Sequence, residues 1–209
     1  MRKKYRNNFS KGSQISLFKS YLNGGEYIWG QSQLERNAQR FYEYDPEVIS
    51  FKSQPKQYAY IDASGKERSY TPDLSLETLK GERIKETKPV VFTKSDKAIE
   101  QFNHLRMCFH EAQILNLSYI TDETVYAGET TENLKRIHHY RRLDISKISV
   151  PSLTDAIGKT PTFGSLKTYI ESIDFQAKHA LALLGHQVFR FDYQKPLTTE
   201  TQLTFVEEA

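Results

Sequence analysis

Three strand-like runs follow one another closely in the middle of this chain, and they limit what can be built around them. Gln57–Asp62, Arg68–Glu77 and Arg83–Lys88 are separated only by turns at Ala63-Ser64-Gly65 and Lys80-Gly81. Runs so closely spaced pair as an antiparallel meander. A helical pattern precedes them, with Leu34, Ala38 and Phe41 on one stripe and Asp45-Pro46 as its stop. A longer helix follows, opened by Ser95 or Asp96 and carrying Ile99, Phe102, Leu105, Phe109 and Ala112 on one face. Leu117–Thr121 then reads as a further strand. Helix, three strands, helix, strand predicts an α/β layer whose crossover helix returns the chain to a sheet needing cover on both faces.

The flanking segments differ. Residues 1–30 read as a basic arm with little regular structure beyond a short helix around Ile15–Tyr21, and 31–125 as the α/β domain. Residues 126–150 read as a basic helix, Thr131–Leu143, and a linker at Ile148-Ser149-Val150-Pro151. In 151–209 the short helices Leu153–Ile157, Gly164–Ser172 and Asp174–Leu184 precede a small hairpin from Gln187–Tyr193 and Thr201–Val206. Gly185 is placed to stop the last helix. Three short helices and a hairpin outline a winged-helix-like module.

With 209 residues, 38% of them hydrophobic and 26% charged, the chain has enough apolar side chains for a packed core. No apolar run is long enough to span a bilayer and no leader pattern is visible, so a cytoplasmic protein without a membrane role is expected. The single cysteine, Cys108, excludes an intrachain disulfide and a cysteine-based zinc site. The net charge is only +3, but residues 1–20 hold Arg2, Lys3, Lys4, Arg6, Lys11 and Lys19 with no acidic residue. Lys135, Arg136, His138, His139, Arg141 and Arg142 form a second basic stretch. Such clusters suit a polyanion, because each neutralised phosphate releases a condensed counterion, although charge runs also form plain solvated faces.

Chemistry concentrates in Thr71-Pro72-Asp73 and Glu86-Thr87-Lys88. Strand alternation puts Tyr70, Pro72, Leu74 and Leu76 on one face and Asp73 on the other, while Glu86 and Lys88, two apart, point the same way. If these strands are neighbours, Asp73, Glu86 and Lys88 converge. Two nearby carboxylates repel unless a divalent cation holds them, and Mg2+, with Mn2+ as a substitute, suits oxygen ligands and a phosphate oxygen. The metal would polarise a phosphodiester for in-line hydrolysis, and Lys88 would stabilise the developing charge. Alternating charges on an exposed strand are the bland alternative. Glu35, early on the first helix, is placed to reach the same cluster; equally, Ser32-x-x-Glu35 is a capping box.

Taken in order, Leu34-Glu35-Arg36, Phe41, Asp45-Pro46, Val48, Gln54-Pro55, Tyr60, Gly65, Tyr70-Thr71-Pro72-Asp73 and Glu86-x-Lys88 resemble the catalytic domain of TnsA endonucleases. These are the subunits that act beside a separate strand-transfer transposase. The resemblance implies a restriction-endonuclease-like, PD-(D/E)xK core of mixed sheet flanked by helices. It implies a metal site of Glu35, Asp73, Glu86 and Thr87, with Lys88 as the catalytic lysine. It also implies double-stranded DNA at transposon ends as substrate, cut on the strand not joined to target. The implied partners are a TnsB-like transposase and a TnsC-like AAA+ ATPase, the latter contacting a winged-helix-like C-terminal part. Two departures stand out: Leu74 replaces the family's Phe after Pro-Asp, and the first helix is more polar than is typical. Neither removes a metal ligand.

Other candidates carry less. Gln54 serves the turn into the first strand or touches DNA. His104 is a DNA-contact candidate, and it shares no helix face with His110. His138 and His139 point apart. The 13 tyrosines and 12 phenylalanines are scattered at core-like spacing, with no stacking platform among them. Arg2, Lys3, Lys4 and Arg6 suit backbone contact, which leaves site choice to the partner subunit. A free-standing nuclease of the same fold and a non-catalytic transposition adaptor are the competing readings.

Overall fold

The computed structural model describes residues 16–111 and 117–207, so Arg2, Lys3, Lys4 and Arg6 lie outside the described residues. The chain divides into two compact units, Met1–Val125 and Tyr126–Ala209.

The first unit contains β1 (Ser16–Ser20), β2 (Glu26–Gly30), α1 (Gln33–Glu43), β3 (Val48–Ser53), β4 (Tyr58–Ile61), β5 (Glu67–Tyr70), β6 (Leu74–Thr78) and β7 (Gly81–Thr87). After a 3-10 turn at Val90–Phe92 come α2 (Asp96–Glu111), β8 (Leu117–Ile120) and α3 (Asp122–Val125). The central sheet has the order β3-β6-β7-β8. Its first three strands are antiparallel, and β8 joins β7 in parallel after the α2 crossover. The protein is therefore mixed α/β, with a mixed sheet flanked by helices. Leu74 and Leu76 enter one core cluster with Phe18, Ala38, Tyr42 and Phe51, whereas Ile84 enters a second with Leu105, Phe109 and Leu117. The sheet's two faces thus drain into two cores, one under α1 and one under α2.

Two expectations for this unit need correction. The segment read as an arm with a helix around Ile15–Tyr21 is, from Ser16 to Gly30, a β-hairpin. Its period-two burial sends Phe18 and Ser20 inward, and its turn uses Gly24 and Gly25 at φ 68 and 86, a backbone region open to glycine. The buried Glu43 carboxylate fastens that turn, accepting from the Ser20 hydroxyl at 2.7 Å and from the Tyr21 amide at 2.9 Å. The run Arg68–Glu77, read as one strand, is two. Pro72 cannot donate to a ladder, and the chain leaves the small β4–β5 sheet there before entering the central one. Strand β3 escaped the sequence reading because a bulge between Val48 and Ser50 breaks its alternation.

The second unit holds α4 (Thr130–Tyr140), α5 (Val150–Ile157), α6 (Phe163–Ser172), α7 (Lys178–Gly185), β9 (Phe189–Arg190) and β10 (Thr204–Phe205), the last two antiparallel. The basic helix read within 126–150 is present as α4, which packs on α7 within this unit, and Ile148, read as the start of a linker, is buried. Ser149 caps α5, its hydroxyl accepting from the Ser152 amide, and Pro151 occupies the first turn, where its missing N–H costs nothing. Gly185 lies inside the last turn of α7 rather than stopping it; a Cβ there would meet the Ile137 carbonyl oxygen at 2.5 Å. Its function is close approach. No helix among the described residues is long and apolar enough to cross a membrane.

Candidate active site

The β6–β7 hairpin decides the geometry. Its register pairs Leu74 with Lys85, so the next positions outward, Asp73 and Glu86, oppose each other across the strands and share a face. The Asp73 carboxylate accepts from the Thr87 amide at 2.7 Å, and its carbonyl accepts from the Gln54 amide at 2.9 Å. Gln54 adopts φ 44, so the turn after β3 is bent into the conformation that holds Asp73 by its backbone. Glu86 accepts from the Tyr70 hydroxyl at 2.5 Å. Just beyond β7, the Lys88 amide donates to Ile120 O at 3.1 Å, carrying the parallel ladder past the strand end.

Electrostatics mark the pair as unsettled. The Asp73 carboxyl is pushed up from 3.8 to about 8, first by burial and then by the charges of Glu86 and Glu35. The Thr87 amide and the Lys88 ammonium pull the other way without winning. Glu86 is raised too, again chiefly by burial, with Glu35 adding and Tyr70 and Lys88 opposing. Tyr70 is held strongly in its neutral form by burial and by the Glu86 charge. Both half-buried carboxyls are pushed up because the Lys88 ammonium and the Thr87 amide offset only part of the desolvation and mutual repulsion.

Glu35 satisfies both of its sequence readings in part. Its amide donates to the Ser32 hydroxyl at 3.1 Å, and its carboxylate accepts from the Gln31 amide at 2.9 Å, so it closes a capping arrangement at the start of α1. Its charge nevertheless reaches both Asp73 and Glu86. Among the described residues, no three Asp, Glu, His or Cys side chains stand close enough together to hold a metal ion. Asp73 and Glu86 do fit Mg2+ or Mn2+ as a two-carboxylate site, which is how Mg2+ is commonly held, with waters filling the rest of its shell. Thr87 adds a buried hydroxyl oxygen without a hydrogen-bond partner, a donor the fold leaves unspent beside the pair.

A cleft of about 590 Å3 opens onto Glu86 and Lys88, between the β4–β5 hairpin and the first turns of α2. Its walls bring together residues that sequence reasoning did not assign to the site: Tyr60, Tyr70, Lys97, Gln101, Phe102 and Tyr119. Tyr119 is the register partner of Glu86 on β8, and its ring stacks on Phe102 at 3.7 Å between centroids. Tyr70 was assigned by alternation to the face opposite Asp73; the break at Pro72 cancels that parity and lets its hydroxyl reach Glu86. No local signal in the sequence announces this.

Of the predicted residues, Asp73, Glu86, Thr87 and Lys88 are together, and Glu35 lies within electrostatic reach. Gln54 touches the site through its backbone. His104 lines the cleft, but its Nε2 is engaged with Ile61 O at 2.7 Å. Compared with known proteins, the chain matches no family model and no curated protein.

Proposed function

We propose that the chain is a metal-dependent DNA endonuclease of the TnsA type, cutting the non-transferred strand at the 5′ ends of a transposon. On this reading its first unit is a restriction-endonuclease-like catalytic core and its second a winged-helix-like module. It acts with a TnsB-like transposase and a TnsC-like AAA+ ATPase. The observation that carries the proposal is the facing pair Asp73 and Glu86, half-buried, both raised above the usual carboxylate range and next to Lys88. Two opposed, half-buried carboxylates are unfavourable for stability alone, and such strongly shifted groups cluster at functional sites.

The residues divide the work. Asp73 and Glu86 would hold Mg2+, with the Thr87 hydroxyl beside them and the Glu35 charge acting from within electrostatic reach. When bound, the metal polarises the phosphodiester and makes an attacking water more acidic. Tyr70 fixes one oxygen of Glu86. The Thr87 amide fixes Asp73. Lys88, which makes no direct ion pair among the described residues, has its ammonium available for the charge that develops on the phosphate.

A second reading, a non-catalytic adaptor, is favoured by one observation: the Glu35 carboxylate is spent on the start of α1. Strand-specific mapping of end cleavage by the reconstituted subunits separates the two. Magnesium-dependent cuts at the 5′ ends, abolished by Asp73→Ala and by Lys88→Ala while assembly persists, support the nuclease. Cuts that persist in both variants would remove these residues from the chemistry, and assembly without any cutting would leave the adaptor.

A further inference from the structure

We propose that the cleft between the β4–β5 hairpin and α2 is a subsite for one nucleotide of the cut strand, swung out of the base stack beside the scissile phosphate. This rests on the endonuclease reading above. Glu86 and Lys88 line the cleft, so whatever fills it adjoins the phosphate those residues would engage. Its volume of about 590 Å3 is that of a small-molecule pocket, enough for a nucleotide and too little for a stacked duplex.

The lining matches that occupant. Tyr60 and the stacked pair of Phe102 and Tyr119 offer aromatic surface to a base, and Gln101 offers amide groups to its edge. Base stacking on aromatic rings tolerates any sequence, in keeping with a chain that leaves site choice to a partner. Lys97 stands in the same wall and makes no hydrogen bond or ion pair among the described residues, so its ammonium is open to a second phosphate. Arg68 is not open in this way, because Asp62 takes its guanidinium at 2.8 Å. The bond from His104 Nε2 to Ile61 O ties the helix wall to the hairpin wall. Extruding a nucleotide from a duplex is unfavourable, and least so where the nucleotide is already unpaired.

The test is binding, scored apart from cutting. The full-length chain carrying Asp73→Asn is titrated with fluorescein-labelled short duplexes that are identical except for one mismatch. Binding to the mismatched duplex is expected to be roughly tenfold tighter, the scale of one base–aromatic stack. Lys97→Ala and Tyr60→Ala should each erase the preference; Lys97→Ala should leave the melting temperature unchanged, whereas Tyr60, which packs on the Ile84 core, is compared at a temperature where its variant is folded by circular dichroism. Equal affinity for both duplexes would overturn the subsite, as would a preference that survives both substitutions. In a parallel assay of the unsubstituted chain with its partner subunits, cutting without any mismatch preference would overturn the subsite alone. A preference abolished by both substitutions, with no magnesium-dependent cutting, would support the nucleotide cleft and overturn the endonuclease.

Discussion

Asp73→Asn is expected to make the metal-free protein more stable at pH 8, although it deletes a proposed catalytic group. The folded-state carboxyl titrates at about 8 against 3.8 for the ordinary group. At 1.36 kcal/mol per unit, the charge conflict is worth at most about 6 kcal/mol once the unfolded chain is ionised. Relaxation and water entry lower the expected gain to roughly 2–3 kcal/mol. The sign follows from proton uptake. Between pH 4 and pH 8 the folded state holds a proton that the unfolded state has released. Asp73 therefore costs nothing below pH 4, and stability is lost as pH rises toward 8. Asparagine keeps an oxygen for the Thr87 amide and removes the charge. For a chain of this length, the gain is a rise in Tm of roughly 4–12 °C at pH 8, shrinking to near zero at pH 4. Thermal unfolding across that range, with and without magnesium, measures it. Magnesium should raise the Tm of the unsubstituted protein and not that of the variant. A variant less stable than its parent at pH 8, or a difference independent of pH, would refute the idea that Asp73 and Glu86 confront each other across the β6–β7 hairpin.

Three further outcomes are expected. Tyr70→Phe removes only the hydroxyl that donates to Glu86; a bond to a charged group is worth about 1.5–3 kcal/mol, and the magnesium concentration for half-maximal cutting should rise while the fold persists by circular dichroism. Glu35→Gln keeps an acceptor for the Gln31 amide, so thermal stability at pH 4 should change by less than about 1 kcal/mol, while calorimetry should show weaker magnesium binding. Gly185→Ala places a methyl against the Ile137 carbonyl and should destabilise the α4–α7 packing by about 1–3 kcal/mol, read as a lower unfolding midpoint in urea.

The local elements of this protein were legible where one period and one set of stop signals governed a segment. Apolar spacing and Asp45-Pro46 marked α1, Ser95 marked the start of α2, and the glycine turns separated the strands on either side of Asp73 and Glu86. The types and spacing of Asp73, Glu86 and Lys88 likewise stood in the sequence, because a hairpin register follows from a short turn. Tertiary structure decided the rest. Phe18 has no helix or strand preference strong enough to declare itself; it becomes a strand residue because Phe51 and α1 offer it a buried face. Pro72 breaks the alternation that would have kept Tyr70 away from Glu86, and only the packing of β5 against Phe109 settles where that ring goes. Tyr60, Lys97, Phe102 and Tyr119 come from three separated elements, β4, α2 and β8, and they share a cleft because α2 crosses the sheet to place β8 beside β7. Periodicity reports which side of an element faces inward; it carries no information about which elements meet there.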